Sequence, residues 1–121
     1  MQIGSPIPIL RIFDEQKARA FYVDFLGFSV DWEHRFEPAL PLYLQVTRGG
    51  CVLHLSEHHG DATPGSALRI PVQDIEALHA ELAARKYGYA RPGINDQPWA
   101  REVAVTDPFG NRLVFSQAVA G

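Results

Sequence analysis

Hydrophobic and polar positions fall into a rhythm that runs twice along the chain. Pro6 to Phe13 (Pro-Ile-Pro-Ile-Leu-Arg-Ile-Phe) is apolar and β-branched and predicts a strand. Its prolines donate no ladder hydrogen bond, which implies an edge strand or an unpaired start. Asp14 stands where a helix cap belongs. Ala18, Phe21, Tyr22, Phe25 and Leu26 then recur at helical spacing, an apolar stripe closed by Gly27. Three strands are expected next: Phe28 to Arg35, Leu42 to Arg48 and Cys51 to Ser56. Gly49-Gly50 signals a hairpin between the last two. Glu57 to Gly65 is polar and rich in turn formers, so it predicts a loop.

The pattern then restarts. Ser66 to Val72 predicts a strand, Asp74 a cap, and Ile75, Leu78, His79 and Leu82 a helical stripe, with Gly88 just past its end. Tyr89 to Arg91 begins a further strand, Ile94 to Trp99 is a loop, and Arg101 to Thr106 alternates as a strand. Asp107-Pro108-Phe109-Gly110 fits a type I turn before a last strand, Asn111 to Gln117. Leu10-Arg11-Ile12 recurs as Leu68-Arg69-Ile70, Asp14 as Asp74, and Gly27-Phe28 as Gly88-Tyr89, at offsets of 58 to 61 residues. One such unit cannot bury a helix face and a sheet face well by itself. The expectation is an α+β domain over residues 1–121, with module one at 6–57 and module two at 66–117. Two β-α-β-β-β modules would form a curled mixed sheet around a cleft, with helices outside.

Composition narrows the function. Hydrophobic residues make up 46% and charged residues 21%, compatible with an ordinary core. A net charge of -3 and a pI near 5.9 argue against a nucleic-acid footprint and mildly favour a neutral or cationic ligand. The lone Cys51 cannot form an internal disulfide and reads as a small buried apolar residue. No apolar run approaches a membrane span, and no leader pattern opens the chain, so a cytoplasmic location is the default. A Gly-x-Ser-x-Gly elbow and a glycine-rich phosphate loop are both missing.

Two stretches carry a resemblance. Asp14 to Phe28, ending Phe21-Tyr22-Val23-Asp24-Phe25-Leu26-Gly27-Phe28, is similar to the first helix of glyoxalase and bleomycin-resistance proteins. Gln97-Pro98-Trp99-Ala100-Arg101-Glu102, followed by Asp107-Pro108-Phe109-Gly110-Asn111, resembles the second half of bleomycin-binding proteins, and is the more specific match. The resemblance covers nearly the whole chain. It implies a homodimer in which Pro8 lets the first strand cross to the partner, a low-cost route to two-fold assembly. It also implies a groove in which Trp99 stacks on a flat drug ring.

The superfamily holds both metal enzymes and metal-free binders, so fold alone does not choose. In metal-dependent relatives four strands each supply a ligand. Registering on Asp14, on Val52-Leu53-His54-Leu55, on Asp74 and on the Asp107 turn places those positions at Ile7, His54, Leu68 and Val114. One imidazole does not hold a catalytic divalent ion. The expectation is therefore no cofactor and no bond chemistry. The favoured function is sequestration of an antibiotic-like or other aromatic small molecule in a dimer groove by Trp99, Trp32, Phe36, His54, Tyr43, Arg101 and Glu102. Asp31, Glu33, Glu37 and Glu102 would offset a ligand's positive charge. Tyr43 also has a core-packing reading, and strand alternation leaves His54 facing either cleft or solvent. His58, His59 and Asp61 read as a polar surface loop, since adjacent histidines on an extended chain point apart. The alternative is a metal-dependent lyase, isomerase or dioxygenase using His54 with His34 or His58.

Overall fold

A computed structural model describes residues 1–85, 87 and 91–119. Its first unit runs β1 (Ile9–Arg11), α1 (Glu15–Arg19), a π-helical continuation (Ala20–Phe25), β2 (Ser29–His34), β3 (Tyr43–Arg48) and β4 (Cys51–Ser56). The second runs β5 (Ala67–Pro71), α2 (Ile75–Ala84), β6 (Asn95–Asp96), β7 (Ala100–Thr106) and β8 (Arg112–Ala118). The sheet orders are β1-β4-β3-β2 and β5-β8-β7-β6, so the two modules share one topology. In each, the first strand pairs in parallel with the last, and the other pairs are antiparallel. The sheets remain two separate mixed sheets. Among the described residues no helix is long and apolar enough to cross a membrane.

Local chemistry sets the element ends. Both caps form as expected: Asp14 Oδ1 accepts from Lys17 N–H at 2.9 Å, and Asp74 Oδ1 from Ala77 N–H at 3.0 Å. Gly27 adopts φ 77° at the end of the first helix. A Cβ there would also stand 3.0 Å from a guanidinium nitrogen of both Arg48 and Arg85, so those side chains would have to shift. Those cations cap the helix: Arg48 donates to the Leu26 carbonyl at 2.7 Å, and Arg85 to the Phe25 carbonyl at 2.8 Å. The first strand is shorter than the apolar run, because the ladder starts only where the Pro8 carbonyl accepts from His54 N–H at 2.9 Å.

Two expectations shift in module two. Gly88 and Tyr89 lie outside the described residues, and Arg91 is in no strand. The strand that pairs with β7 is instead Asn95–Asp96, inside the stretch read as a loop. Tertiary pairing overrides the low strand propensity of Asn and Asp there.

One hydrophobic core joins the modules. Leu10, Ile12, Phe21, Phe25, Leu44, Leu53 and Leu55 cluster with Ile70, Ile75, Leu82, Val103, Leu113 and Phe115. Each fully buried side chain of this size contributes roughly 1.5–3 kcal/mol. Polar ties reinforce the seam. The Tyr22 hydroxyl donates to Asp107 at 2.6 Å, and Asn111 Nδ2 donates to the Arg11 carbonyl at 2.9 Å. Glu81 on α2 accepts from Arg48 on β3 at 2.5 and 2.9 Å. Arg48 lowers the Glu81 carboxyl below its ordinary range, chiefly by hydrogen bonding.

Candidate functional site

Alternation sends Leu44, Val46, Leu53 and Leu55 into the core, and Tyr43, Gln45, Thr47, Val52 and His54 to the opposite, open face of sheet one. On β2 the register slips between Val30 and Trp32, which sets Trp32 across from Gln45. Such a bulge re-aims a side chain. Here it brings Trp32 onto the open face, where its ring stacks on Tyr43 at 5.9 Å and 9°.

Trp32 also meets His54 edge-on at 5.3 Å, and Tyr43 meets His54 at 5.1 Å. Phe36 lies edge-on to His34 at 4.8 Å, and His58 lies 6.4 Å from both Phe36 and Tyr43. Trp32 keeps 43% of its surface exposed and Phe36 73%. Contiguous large aromatics left in water mark a binding face rather than a core. Arg35 steadies the rim by donating to the Leu40 carbonyl at 2.9 Å and pairing with Glu15. A hollow of about 430 Å³ at this rim is lined by Glu33 to Pro38.

Polar groups on the face form a chain. The Tyr43 hydroxyl lies 2.5 Å from His54 Nδ1, and His54 Nε2 lies 2.9 Å from Gln45 Oε1. Gln45 Nε2 donates to Asp31 at 2.9 Å, and the Thr47 hydroxyl to the other Asp31 oxygen at 3.0 Å. Burial first, then the Asp61 charge, pushes the Tyr43 phenol above its ordinary value. Asp61 accepts from Ser56 Oγ at 2.6 Å, and Ser56 Oγ accepts from His58 N–H at 3.0 Å, so this loop folds over the end of β4.

The remaining candidates separate. Arg101 and Glu102 are neighbours on β7 and face opposite sides. Arg101 turns toward α2, donating to Glu76 at 2.9 Å and to Asp96 at 2.8 Å. Glu102 turns to the open face of sheet two, where it pairs with Arg69. Trp99 is 64% exposed just before β7. Glu33 pairs with Arg19 at 2.8 Å, while Glu37 is exposed at the rim hollow. His59 is partnered with Ala62 in an isolated bridge of the loop. Pro8 opens the β1 ladder, and Ile3 and Ile7 before it are 89% and 45% exposed.

The register also corrects the metal positions. Ile7 precedes β1, and the residue across from His54 is Ile9. Leu68 lies on the core side with Ile70, and the residue across from Val114 is Arg69. Hydrocarbon and a guanidinium do not fit a divalent ion, and both nitrogens of His54 already have partners. Among the described residues no three His, Cys, Asp or Glu side chains gather as a metal site.

A cavity of about 760 Å³ lies elsewhere, between the β3–β4 turn, β5, α2, Pro6 and Pro8. Half-buried Cys51 lines it, and desolvation pushes its thiol up, away from thiolate reactivity. Its charged wall residues are already engaged, Arg48 with Glu81 across the module seam, Arg69 with Glu102 and Asp74 as the α2 cap, so we favour the aromatic face as the functional site. Gln45 and Asp31 complete that face. Asp31 and Trp32 were named from the sequence, whereas Gln45 was not, although period-two spacing from Tyr43 reaches it; the bulge that sets Trp32 across from Gln45 leaves no signal in the sequence.

A family model described as glyoxalase superfamily protein matches residues 1–121. Among curated proteins no sequence matches. The bleomycin-binding protein of Streptomyces verticillus, solved with copper(II)-bleomycin, is 33% identical, with coverage of 98% of this chain and 99% of that one and a TM-score of 0.71. A glyoxalase/bleomycin resistance protein from Streptomyces sp. CB03234 is 25% identical over 93% of this chain and 100% of that one, with a TM-score of 0.67. The antibiotic-binding protein TnmS3 of that strain, 24% identical over 98% of this chain and 100% of that one with a TM-score of 0.71, shares the fold. By fold, register and sequence, the chain belongs to the glyoxalase superfamily.

Proposed function

We propose that this protein is a metal-independent binder that sequesters an aromatic, partly cationic small molecule of the bleomycin type. The observation that carries this reading is the Trp32–Tyr43–His54 cluster on the open face of sheet one, with Trp32 exposed and Tyr43 and His54 half-buried. Aromatic faces attract planar heterocycles and cations, and the Asp31 carboxylate lies beside them. The named ligand rests on the 33% identical relative solved with copper(II)-bleomycin. No bond is made or broken, and protection follows from mass action on free drug.

A second copy completes the groove, with Trp99 and Glu102 contributing from module two and the arm before Pro8 exchanged between copies. The exposed, apolar arm residues Ile3 and Ile7 support that exchange. Isothermal titration of chelator-treated protein with metal-free bleomycin tests the function. Saturable heat is expected; absence of heat at high micromolar drug removes this ligand. A rise in melting temperature with zinc, nickel, manganese or iron would favour the metal-enzyme reading instead.

A further inference from the structure

The face of sheet one is not simply greasy, because its hydrogen bonds have a fixed direction. At the far end Asp31 is an exposed carboxylate that accepts from both Gln45 and Thr47. An ionised carboxylate has no hydrogen to give, so the Gln45 NH₂ group must face it. That leaves the Gln45 carbonyl oxygen toward His54, 2.9 Å from Nε2. A carbonyl only accepts, so Nε2 must carry the imidazole hydrogen. In the neutral ring Nδ1 is then bare and accepts from the Tyr43 hydroxyl at 2.5 Å. Burial keeps Tyr43 a phenol, so it has one hydrogen, and that hydrogen is committed to His54.

We infer that the Asp31–Gln45–His54 relay makes Tyr43 a hydrogen-bond acceptor on the aromatic face, so the ligand held there presents an N–H donor beside a flat ring. Tyr43 has lone pairs left for the groove and no hydrogen. Trp32 stacks on the same Tyr43 ring, so the ring contact and the acceptor sit together. His54 itself has no free nitrogen. It is a positioning residue, and it neither touches ligand with a lone pair nor offers one to a metal. This deepens the proposed function and rests on the aromatic face being the binding site, but the relay exists in the free protein and is read without any ligand.

The test has two arms. Nitrogen-15 NMR at mildly alkaline pH reports which imidazole nitrogen of His54 is protonated. The Nε2–H form is expected in the unaltered protein. Asp31→Asn lets an amide donate toward Gln45, which frees Gln45 to turn over, so the His54 population should move toward Nδ1–H. A charged surface residue with no role in the relay would not move this signal. An Nδ1–H ring in the unaltered protein, or a tautomer indifferent to Asp31→Asn, overturns the relay.

The second arm uses indole and benzofuran, neutral rings of the same shape that differ in an N–H donor, followed by the Trp32 indole resonance. Indole should bind about fivefold more tightly, the effect of one neutral hydrogen bond. Tyr43→Phe should abolish that preference while keeping both probes bound. Equal binding of the two rings with the expected tautomer overturns the recognition claim alone. If neither ring shifts Trp32 while the tautomer is as expected, the binding-face reading fails and the recognition claim falls with it.

Discussion

Sheets one and two share a strand order and the same parallel and antiparallel pairings, yet their open faces differ in kind. Sheet one shows Trp32, Tyr43, Gln45 and His54, large rings tied by a directed hydrogen-bond chain. The corresponding face of sheet two shows Arg69 paired with Glu102, with Ser116 within 3.3 Å of the guanidinium, and the small or aliphatic residues Ala104 and Val114. A closed ion pair and short side chains offer little stacking area, whereas exposed aromatics offer a great deal. The duplicated scaffold therefore divides the work. Both modules contribute to one core, and the first presents a broad aromatic surface while the second presents a paired, charge-neutralised one. The difference arises from a few side chains and one bulge on a common backbone.

That division can be broken first at the seam that makes both faces depend on one fold. Asn111 is fully buried and bonds the Arg11 carbonyl, the Ser66 N–H and Asp107 at 2.9, 3.2 and 2.8 Å. Asn111→Ala takes the side-chain partner from the Arg11 carbonyl and the Ser66 N–H, while Asp107 keeps Tyr22 and the Phe109 and residue-111 N–H groups. It should cost about 3 kcal/mol and lower the melting temperature by roughly 10 °C, measured by calorimetry. Tyr22→Phe removes the Tyr22 hydroxyl's hydrogen bond to the Asp107 carboxylate. A loss of about 2 kcal/mol in urea unfolding, with the slope unchanged, is expected.

The comparison sharpens with ligand binding. Trp99→Ala should weaken bleomycin binding by about threefold, a peripheral stacking effect at the low end of aromatic contacts. A loss larger than that of the matching Trp32 variant would move the centre of the site to module two. The smallest effect concerns pH. Arg48 holds the Glu81 carboxyl below its ordinary value of 4.5, so the pair's stability is present above that value and is lost as pH falls through the lowered one. Both side chains are about a third exposed, so the contribution is screened to a few tenths of a kcal/mol. The stability gap between the unaltered protein and Glu81→Gln should be full near neutrality and close in acid, as read by denaturant titration across pH.

Local devices were the most legible part of the sequence. Asp14, Asp74, Gly27 and the Gly49-Gly50 hairpin each act within a few residues, so their chemistry shows in the chain itself. The internal repeat exposed the modular fold for the same reason. Features set by pairing across strands were harder. Leu68 missed its place because a one-residue slip turns a side chain to the other face, and Ile7 fell two residues short because the prolines before β1 blur where its ladder begins. Asn95–Asp96 became a strand only because β7 lies beside it. Arg101 and Glu102 were grouped in one site from the sequence, although adjacent strand positions face opposite sides, and the structure separates them. Trp32 entered the candidate list as an aromatic near the groove, but its stack on Tyr43 depends on the β2 bulge, which propensity does not encode.

The most direct measurement compares bleomycin titrations of the unaltered protein and Trp32→Ala, with circular dichroism to confirm the shared fold. If the aromatic face of sheet one is the binding site, the substitution weakens affinity about tenfold, near the upper range for a lost aromatic contact, while the melting temperature stays within a few degrees. Unchanged affinity in Trp32→Ala would contradict the account and place recognition elsewhere on the molecule.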